Sequence, residues 1–393
     1  MDFKEIEESA IFKNKSVLSP HYVPQELLYR EEELKKMMLG VAPAFKGFKP
    51  KNILIYGKTG TGKSITTKKL LEKIESMNDN RVKGVYLNCR VYDTRYKVFQ
   101  KLVSELKNEF SKTGYSFALL YETILDWIEE KDRFIIVILD EIDFVKDIDA
   151  LVYSITRAND DIKKGELSMI GISNKIQFKQ KLGERSKSSI CEEEIVFQTY
   201  NSSQLQGILN QRVPLAFKEE TITQSAVNLA AAIAARENGD ARYALNLLLR
   251  SGELAERKKT SKVTDKEVEE ARKMAEEDKA SELISSLPTH QQLVLYALAM
   301  TSTDVSYKKL IEDNGEKYYF SGEVYDHYTR ISRKFGFEPI SARWYREYIH
   351  ELEEMGLISS IHSGSGVRGQ TTLLRLALEE SKVRKIIEKS LMK

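Results

Sequence analysis

The chain has 393 residues, of which 41% are hydrophobic and 31% charged, and its formal net charge is +2. This length predicts two or three globular domains. The near-neutral charge excludes a protein whose whole surface attracts polyanions, so a nucleic-acid surface would have to come from local clusters. No apolar run approaches the ~20 residues of a membrane span, and the charged first residues are unlike a signal peptide.

The chain has two cysteines, Cys89 and Cys191, and their number indicates the redox environment of the protein. They are too few for a disulfide framework or for a zinc site built from cysteines alone, and this usage indicates a reducing environment. We expect both to be small buried side chains. We also expect the protein to be cytoplasmic and to have no membrane partner.

Residues 11–31 mix apolar side chains with Pro20 and Pro24. Taken alone, this composition predicts only an arm that packs against the rest of the protein. We expect one helix here, from about residue 26 to residue 39.

Apolar runs and helical patterns then alternate as far as residue 200. The apolar runs are residues 53–56, 85–89, 134–139, 169–172 and 195–197. Alternation of this kind predicts an α/β fold with a parallel, doubly wound sheet.

The sequence GKTGTGKS follows the first apolar run directly and fits the phosphate-binding spacing G-x-x-x-x-G-K-[ST]. Glycines allow a tight loop to bring backbone N–H groups onto phosphate oxygens at the N-terminus of the next helix. Lys63 would reach the β- and γ-phosphates, and the Ser64 hydroxyl would bind Mg²⁺. A glycine-rich turn is the alternative, but the flanking strand and helix are the context that the motif requires.

The loop therefore predicts a site for ATP or ADP with Mg²⁺. The expected contacts of the nucleotide in this stretch are Gly57, Lys58, Thr59, Gly60, Thr61, Gly62, Lys63, Ser64 and Ile65.

Acidic residues follow the continuously apolar run 134–139. A strand buried on both faces is continuously apolar, so these acids must lie at the carboxyl edge of the sheet, where α/β proteins bind ligands. Asp140 is the expected Mg²⁺ ligand, and Glu141 is the candidate that orients or activates the attacking water. The alternative is an acidic turn after a buried strand.

Two further polar residues follow the next strand. Asn174 could hydrogen-bond the γ-phosphate or the water, although asparagine at a strand end is usually a turn former. Arg185 could reach the phosphate of a neighbouring subunit as an arginine finger, or it could be a solvated side chain.

From residue 201 the strand signals stop, and helical patterns cover residues 205–213, 222–238, 241–257 and 266–280. Asp240 is a plausible N-cap of the third helix. Arg242 lies near the N-terminus of that helix, where the dipole disfavours a cation. Either an anion faces Arg242 or the side chain is solvated and tolerates a small penalty.

The C-terminal part has three more helical patterns, at residues 291–300, 323–335 and 341–355. Two runs that combine polar and apolar residues follow, at 357–363 and 371–378, around a glycine-rich turn. Three helices followed by a hairpin describe a winged helix-turn-helix.

The third of these helices has apolar residues at helical spacing, which would face the core: Tyr345, Tyr348, Ile349 and Leu352. Arg343 and Arg346 then point the other way, together with His350, in the turns of a recognition helix that meet base edges. Arg368 at the hairpin tip could insert into a minor groove. Arg333 adds a positive charge nearby that could contact phosphates. The same helix becomes acidic toward its C-terminus, and a winged helix that docks protein is the alternative.

Together these motifs resemble the archaeal replication initiators, the origin recognition complex subunit 1 / cell-division-control protein 6 family of AAA+ ATPases. The resemblance runs from about Ile11 to the C-terminus. Its most specific parts are LSPHYVPQELLYRE, GKTGTGKS, LDEID, GISN, KSSICEEEIVF and GDARYALNLL. It implies an α/β AAA+ module at residues 1–200, a helical lid at 201–280 and a winged-helix DNA-binding domain at 281–393.

The resemblance also implies roles for individual residues. Asn174 looks like the sensor 1 residue, Arg242 like the sensor 2 arginine and Arg185 like the arginine finger. Tyr22 and Val23 look like the wall against the adenine.

Residues 110–125 fall where the family has a helical insertion that makes a second DNA contact, and Tyr115 is the residue expected to make it. The sequence GERSKSS departs from the family, which commonly has a proline before the arginine. That difference leaves the geometry of the finger open.

The function implied is a weak ATPase that initiates DNA replication, with slow hydrolysis as a switch. The expected partners are double-stranded origin DNA, other initiator subunits of a homo- or hetero-oligomer on DNA, and the replicative helicase. The alternative is a remodelling or clamp-loader-like AAA+ ATPase with rapid turnover, whose winged helix docks protein.

Overall fold

A computed structural model of the protein describes residues 9–20, 22–107, 114–301, 311–313, 316–362 and 372–391. The chain divides into two compact units, Met1–Ala271 and Arg272–Lys393, and the division falls inside a long helix. Each unit has its own hydrophobic core.

The first unit is built on a five-stranded parallel sheet with the strand order β2-β3-β4-β1-β5. Its strands are β1 (Ile53–Tyr56), β2 (Val82–Asn88), β3 (Phe134–Asp140), β4 (Glu166–Ser173) and β5 (Glu193–Val196). All five predicted runs are strands, and the parallel α/β fold is confirmed. The flanking helices are α1 (Glu31–Val41), α2 (Lys63–Ser76), α3 (Arg95–Leu106), α4 (Phe117–Glu129), α5 (Ile148–Asp161) and α6 (Glu184–Ile190).

The register of the sheet brings the functional segments to one edge. Every residue of β3 is buried, as its continuously apolar sequence predicts. Asp140 pairs with Asn88, the last residue of β2. Ser173, the last residue of β4, pairs with Tyr56 directly before the glycine-rich loop. The loop, the acids and the residue after β4 therefore start from neighbouring strand ends.

The first helix differs from the prediction, because it starts at Glu31 rather than near residue 26. Tyr29 has a positive φ of 61°, which interrupts helical geometry. Arg30 is the N-cap residue, and its side chain is directed to backbone carbonyls elsewhere in the unit. The predicted helix is therefore shorter at its beginning because tertiary contacts hold these two residues.

Four helices follow the sheet: α7 (Ser202–Ala216), α8 (Gln224–Glu237), α9 (Ala241–Lys258) and α10 (Asp265–Ser286). Asn201 and Gln204 form a capping box at the start of α7. The predicted N-cap at Asp240 is confirmed, since its Oδ1 accepts from the backbone N–H groups of Arg242 at 2.7 Å and Tyr243 at 3.1 Å.

The N-terminal arm packs into the core of these helices, as predicted. Ile11 is fully buried and Phe12 is 3% exposed. The ring of Phe12 lies 4.9 Å from that of Phe217, centroid to centroid. The backbone N–H of Lys13 donates to the carbonyl of Ala216 at 2.8 Å. The arm is thus part of this helical layer.

The second unit contains the helices α11 (Thr289–Thr301), α12 (Ser321–Lys334), α13 (Ala342–Glu354) and α14 (Glu380–Leu391). Its antiparallel strands are β6 (Ile311–Asp313), β7 (Glu316–Phe320), β8 (Ile358–His362) and β9 (Thr372–Leu376), in the order β6-β7-β9-β8. The predicted winged-helix fold is confirmed. The sequence did not indicate β6, β7 or α14, and the predicted glycine-rich turn at 364–370 lies outside the described residues.

We predict that Phe12→Ala destabilises the first unit by about 3–5 kcal/mol, because truncation of a buried aromatic ring removes apolar contact and leaves a cavity. Urea denaturation of the full chain measures the change. Lys13→Ala is the matched control, since that side chain is exposed and its backbone hydrogen bond survives the substitution. A Phe12→Ala protein as stable as the control would contradict the structural role of the arm.

Candidate nucleotide site and recognition helix

The glycine-rich loop lies directly against the N-terminus of α9. Gly60 has a φ of 69°, and a Cβ atom there would lie 1.7 Å from the Asp240 Oδ1 atom. The backbone N–H of Ala241 donates to the carbonyl of Gly60 at 3.1 Å. Only glycine can occupy this position, because a side chain would separate the loop from the helix that carries Arg242.

Lys63 is held under the loop. Its Nζ donates to the carbonyls of Gly57 at 2.8 Å and Lys58 at 2.6 Å, and the residue is 6% exposed. The pKa of Lys63 is lowered to about 8, chiefly by burial; Asp140 opposes this shift and Arg242 adds to it. The protonated form of Lys63 is therefore less favoured here than in water. A bound anion would favour it and raise the pKa again.

The two predicted magnesium ligands, Ser64 and Asp140, share a neighbour. The hydroxyl of Tyr86, on β2, donates to the Asp140 carboxylate and also interacts with the Ser64 side chain. Burial and the Asp140 carboxylate raise the pKa of Tyr86. One carboxylate and one hydroxyl are hard oxygen donors, which fit Mg²⁺ when substrate phosphates complete the coordination.

Glu141 has an unusual backbone and an unforeseen partner. Its φ is 55°, which is rare for a residue other than glycine and is typical of functional turns. Its carboxylate forms an ion pair with Arg90 Nε at 2.6 Å, and the Arg90 guanidinium lies 4.5 Å from the ring centroid of Phe144. Arg90 was not predicted from the sequence, where its only signal is a basic residue just after β2, the strand beside β3.

Arg30 is a second site residue that the sequence does not reveal. It is 4% exposed, its Nε donates to the carbonyl of Thr61 at 2.9 Å, and its Nη2 donates to the carbonyl of Gln198 at 2.5 Å. Its guanidinium lies 4.0 Å from the ring centroid of Tyr200. Arg30 thus ties the loop to the segment after β5.

A cavity of about 350 Å³ opens beside the loop. Many of the predicted site residues line it: Tyr22, Val23, Gly60, Gly62, Ser64, Ile65, Asp140, Glu141 and Arg242. Tyr22 and Val23 lie at one wall with other apolar residues, and the acids belong to the sheet edge. The structure therefore brings the predicted phosphate, metal and base contacts around one space.

Two of the predicted catalytic residues are not on this wall. Asn174 follows β4 and is half-buried, next to Ser173, whose hydroxyl donates to Asp143 Oδ1 at 2.9 Å. Arg185 is exposed on the short helix α6. Asn174 is close in register to the loop, whereas Arg185 is available to another molecule.

In the second unit, the apolar face of α13 is as predicted. Tyr345, Ile349 and Leu352 are buried, and Tyr348 is half-buried. Ser341 caps the helix by accepting from the Trp344 backbone N–H at 3.5 Å.

The opposite side of α13 is exposed and includes Arg343, Arg346 and His350. Trp344, which the sequence pattern did not single out, is also 59% exposed. Arg333, at the end of α12, is exposed as well.

The other predicted DNA contacts are less completely described. Arg368 lies outside the described residues, as do residues 110–113 of the predicted insertion. Tyr115 is half-buried and packs against the core of the first unit. Its backbone carbonyl accepts a hydrogen bond of 3.0 Å from the Tyr96 hydroxyl.

This combination of fold and site defines a AAA+ ATPase with a helical lid and a C-terminal winged helix. Three family models match it in order: an AAA domain at residues 47–176, the Cdc6 AAA+ ATPase-type lid domain at 206–273, and the CDC6 C-terminal winged helix domain at 282–386.

The chain belongs to the ORC1-type family of DNA replication proteins, and the resemblance seen in the sequence is confirmed. It is 40% identical to ORC1-type DNA replication protein 1 of Sulfurisphaera tokodaii, covering 97% of this chain and 94% of that protein. It is 38% identical to the ORC1-type DNA replication protein of Thermococcus kodakarensis, covering 98% of this chain and 92% of that protein. The solved structure of the Aeropyrum pernix ORC1 protein in complex with DNA matches with a TM-score of 0.71 and 34% identity, covering 97% of this chain and 98% of that one.

The described helices include none that is long and apolar enough to cross a membrane.

We predict that nucleotide binding takes up a proton above pH 8. A bound triphosphate favours the ammonium form and raises the pKa of Lys63 above its unliganded value of about 8. Affinity should therefore fall as pH rises from 8, by up to about tenfold per pH unit. Titration calorimetry at pH 7 and pH 9, in buffers of different ionisation heat, measures the proton uptake.

Lys63→Arg is the matched control, because a guanidinium stays protonated throughout this range. Its residual binding should not depend on pH. Equal proton uptake by the two proteins, or none by the parent at pH 9, would contradict the assignment to Lys63.

Proposed function

We propose that the protein binds ATP with Mg²⁺ in the cavity beside the loop and uses slow hydrolysis as a switch for replication initiation. The observation that carries this proposal is the direct contact of Gly60 with the N-terminus of α9, which brings the lid residue Arg242 to the same cavity as the phosphate loop. A γ-phosphate there would touch both sheet and lid. Its loss on hydrolysis would change how the two are held together.

The residues divide into roles by position. Lys63 and the loop amides hold the phosphates, Ser64 and Asp140 hold Mg²⁺, and Arg242 neutralises phosphate charge from the lid. Tyr22 and Val23 cover the adenine.

Two further residues complete the proposed reaction. Asn174 hydrogen-bonds the γ-phosphate or the water. Arg185, exposed on α6, acts as a finger on the nucleotide of a neighbouring initiator subunit.

Slow hydrolysis is supported by the surroundings of Glu141. A carboxylate that orients or activates water must be free to accept its proton or hydrogen bond. Here the carboxylate is paired with Arg90. This ion pair competes with water for Glu141 and keeps the basal rate low.

We further propose that the second unit binds duplex origin DNA through α13. Arg343 and Arg346 are exposed in the first turns of this helix, where a recognition helix meets the major groove. Arg333 adds a phosphate contact, and Arg368 and Tyr115 make secondary contacts. The related Aeropyrum pernix structure is of a complex with DNA, which favours this role over protein docking.

On this view the protein acts in the cytoplasm, assembles with other initiator subunits on DNA and recruits the replicative helicase. The domains that carry these roles are the AAA+ module at residues 1–200, the lid at 201–280 and the winged helix at 281–393.

We predict that Glu141→Gln preserves ATP binding and lowers hydrolysis by about a hundredfold or more, since general-base or water-orienting groups contribute at least that much. Arg90→Ala should raise hydrolysis a few-fold, because an exposed ion pair restrains its partner by up to about 1 kcal/mol. Single-turnover hydrolysis and equilibrium binding are the measurements. Arg81→Ala, an exposed arginine before β2, is the matched control. Hydrolysis at the parent rate by Glu141→Gln would show that Glu141 has a different role.

We predict that the arginines of α13 and of the wing have different effects. Arg343→Ala or Arg346→Ala should lose about 1–3 kcal/mol on a preferred duplex and relax its sequence preference. Arg368→Ala should weaken preferred and scrambled duplexes alike and lower the salt slope by about one unit.

A salt series on both duplexes distinguishes the two kinds of contact, with Lys385→Ala, an exposed cation of α14, as the control. If all the arginine variants bind both duplexes as tightly as the parent, this surface does not contact DNA and the winged helix docks protein instead.

A further inference from the structure

Arg212, on α7, is a buried arginine whose charge the first unit does not fully satisfy. The residue is 4% exposed, and its guanidinium lies 4.4 Å from the ring centroid of Tyr22. Its Nε and Nη1 atoms are buried and have no hydrogen-bond acceptor among the described residues. Burial of such donors without an acceptor is unfavourable, and it lowers the pKa of Arg212. These two atoms have no accessible surface, so a ligand can meet only the third nitrogen, Nη2, which is not among the fully buried donors.

The cavity beside the loop is where such a ligand would lie. Arg212 lines it together with Tyr22, Ile208 and Leu245. These neighbours are aromatic or aliphatic, so this wall suits a flat base better than a phosphate. The neighbouring Gln211 already donates its amide N–H to the carbonyl of Glu26 at 3.0 Å.

The chemistry of a guanidinium limits what it can recognise. It has five N–H donors and no acceptor. In an adenine base the ring nitrogens N1, N3 and N7 accept hydrogen bonds, whereas the exocyclic amino group donates. Within the base, Arg212 can therefore pair only with a ring nitrogen. Its guanidinium lies over the face of Tyr22, so a base beside it would meet the guanidinium edge-on.

We propose that Arg212 donates a hydrogen bond to a ring nitrogen of the adenine and so links recognition of the base to helix α7 of the lid. This inference rests on the proposed binding of ATP at this cavity. It adds a contact from the lid to the base, beside the contact to the phosphates that we propose for Arg242. The lid would then respond to both ends of the nucleotide.

The experiment compares ATP with 1-deaza-, 3-deaza- and 7-deaza-ATP on the full-length protein. Each analogue replaces one acceptor nitrogen by C–H. We expect one of the three to bind the parent roughly tenfold or more weakly than ATP, since hydrogen bonds to a charged donor are strong. Arg212→Met should bind ATP more weakly than the parent by a similar factor. It should bind that one analogue as tightly as it binds ATP. Inorganic tripolyphosphate has no base. Its own affinity, measured by competition with a bound nucleotide, should be the same for both proteins.

Two further variants and a melting measurement make the test decisive. Arg236→Met, an exposed arginine on α8, is the matched control and should keep the parent preference among the analogues. Arg212→Lys keeps the charge but loses the planar fork, so it should recover only part of the affinity. The unliganded Arg212→Met protein should melt at the parent temperature or above, because a buried charge without an acceptor has been removed.

The proposal is overturned if the parent binds all three analogues as tightly as ATP, or if Arg212→Met keeps the parent preference. Lys63→Ala separates these results from a failure of the proposed function. If Lys63→Ala binds ATP as the parent does, the nucleotide site itself is wrongly placed. If Lys63→Ala loses binding while the analogues are equivalent, only the role of Arg212 is wrong.

Discussion

The close approach of Gly60 to Asp240 is the contact on which the first unit depends. Asp240 uses its carboxylate to cap α9, and the backbone of Ala241 reaches the carbonyl of Gly60 at the same point. No Cβ atom can lie between them. The helix that carries Arg242 therefore begins where the phosphate loop turns. A shift of the loop would displace the N-terminus of this helix, because the two are in direct contact.

Positive charge in and beside the cavity is not fully compensated by the protein alone. Lys63 is buried with a lowered pKa, Arg212 has buried donors that lack acceptors among the described residues, and Arg242 lies at the unfavourable end of a helix dipole. A bound nucleotide would lessen the penalty at Lys63 and Arg242 by supplying negative charge, and it would supply an acceptor to the one Arg212 nitrogen that is not fully buried. A site of this kind binds a nucleotide by relieving penalties that are already built into the fold.

The second unit separates its core from its exposed charges on a single helix. Tyr345, Ile349 and Leu352 hold α13 against the core, and the Tyr345 hydroxyl donates to the carbonyl of Ser321 at 3.1 Å. Arg343 and Arg346 lie on the exposed side. Because the buried side fixes the rotation of the helix, the orientation of the arginines follows from packing rather than from their own contacts.

Much of this protein could be read from its sequence, because the relevant signals are local. Continuous apolar runs identified the five strands, helical periodicity identified the buried face of α13, and fixed spacing identified the loop from Gly57 to Ser64. The position of Asp140 and Glu141 after a wholly apolar strand was sufficient to place them at the sheet edge, since parallel strands end on one side.

The tertiary structure alone decided which distant residues meet. Arg30, Arg90 and Arg212 are unremarkable in sequence, and their partners are Thr61, Glu141 and Tyr22. Neither periodicity nor spacing encodes such pairs, because the register of neighbouring strands and the packing of the lid bring them together. The early start predicted for α1 failed for the same reason, since Tyr29 and Arg30 take their conformation from contacts far away in the chain. The local pattern thus determined the elements and the phosphate loop, and long-range packing determined the charges that surround the nucleotide cavity.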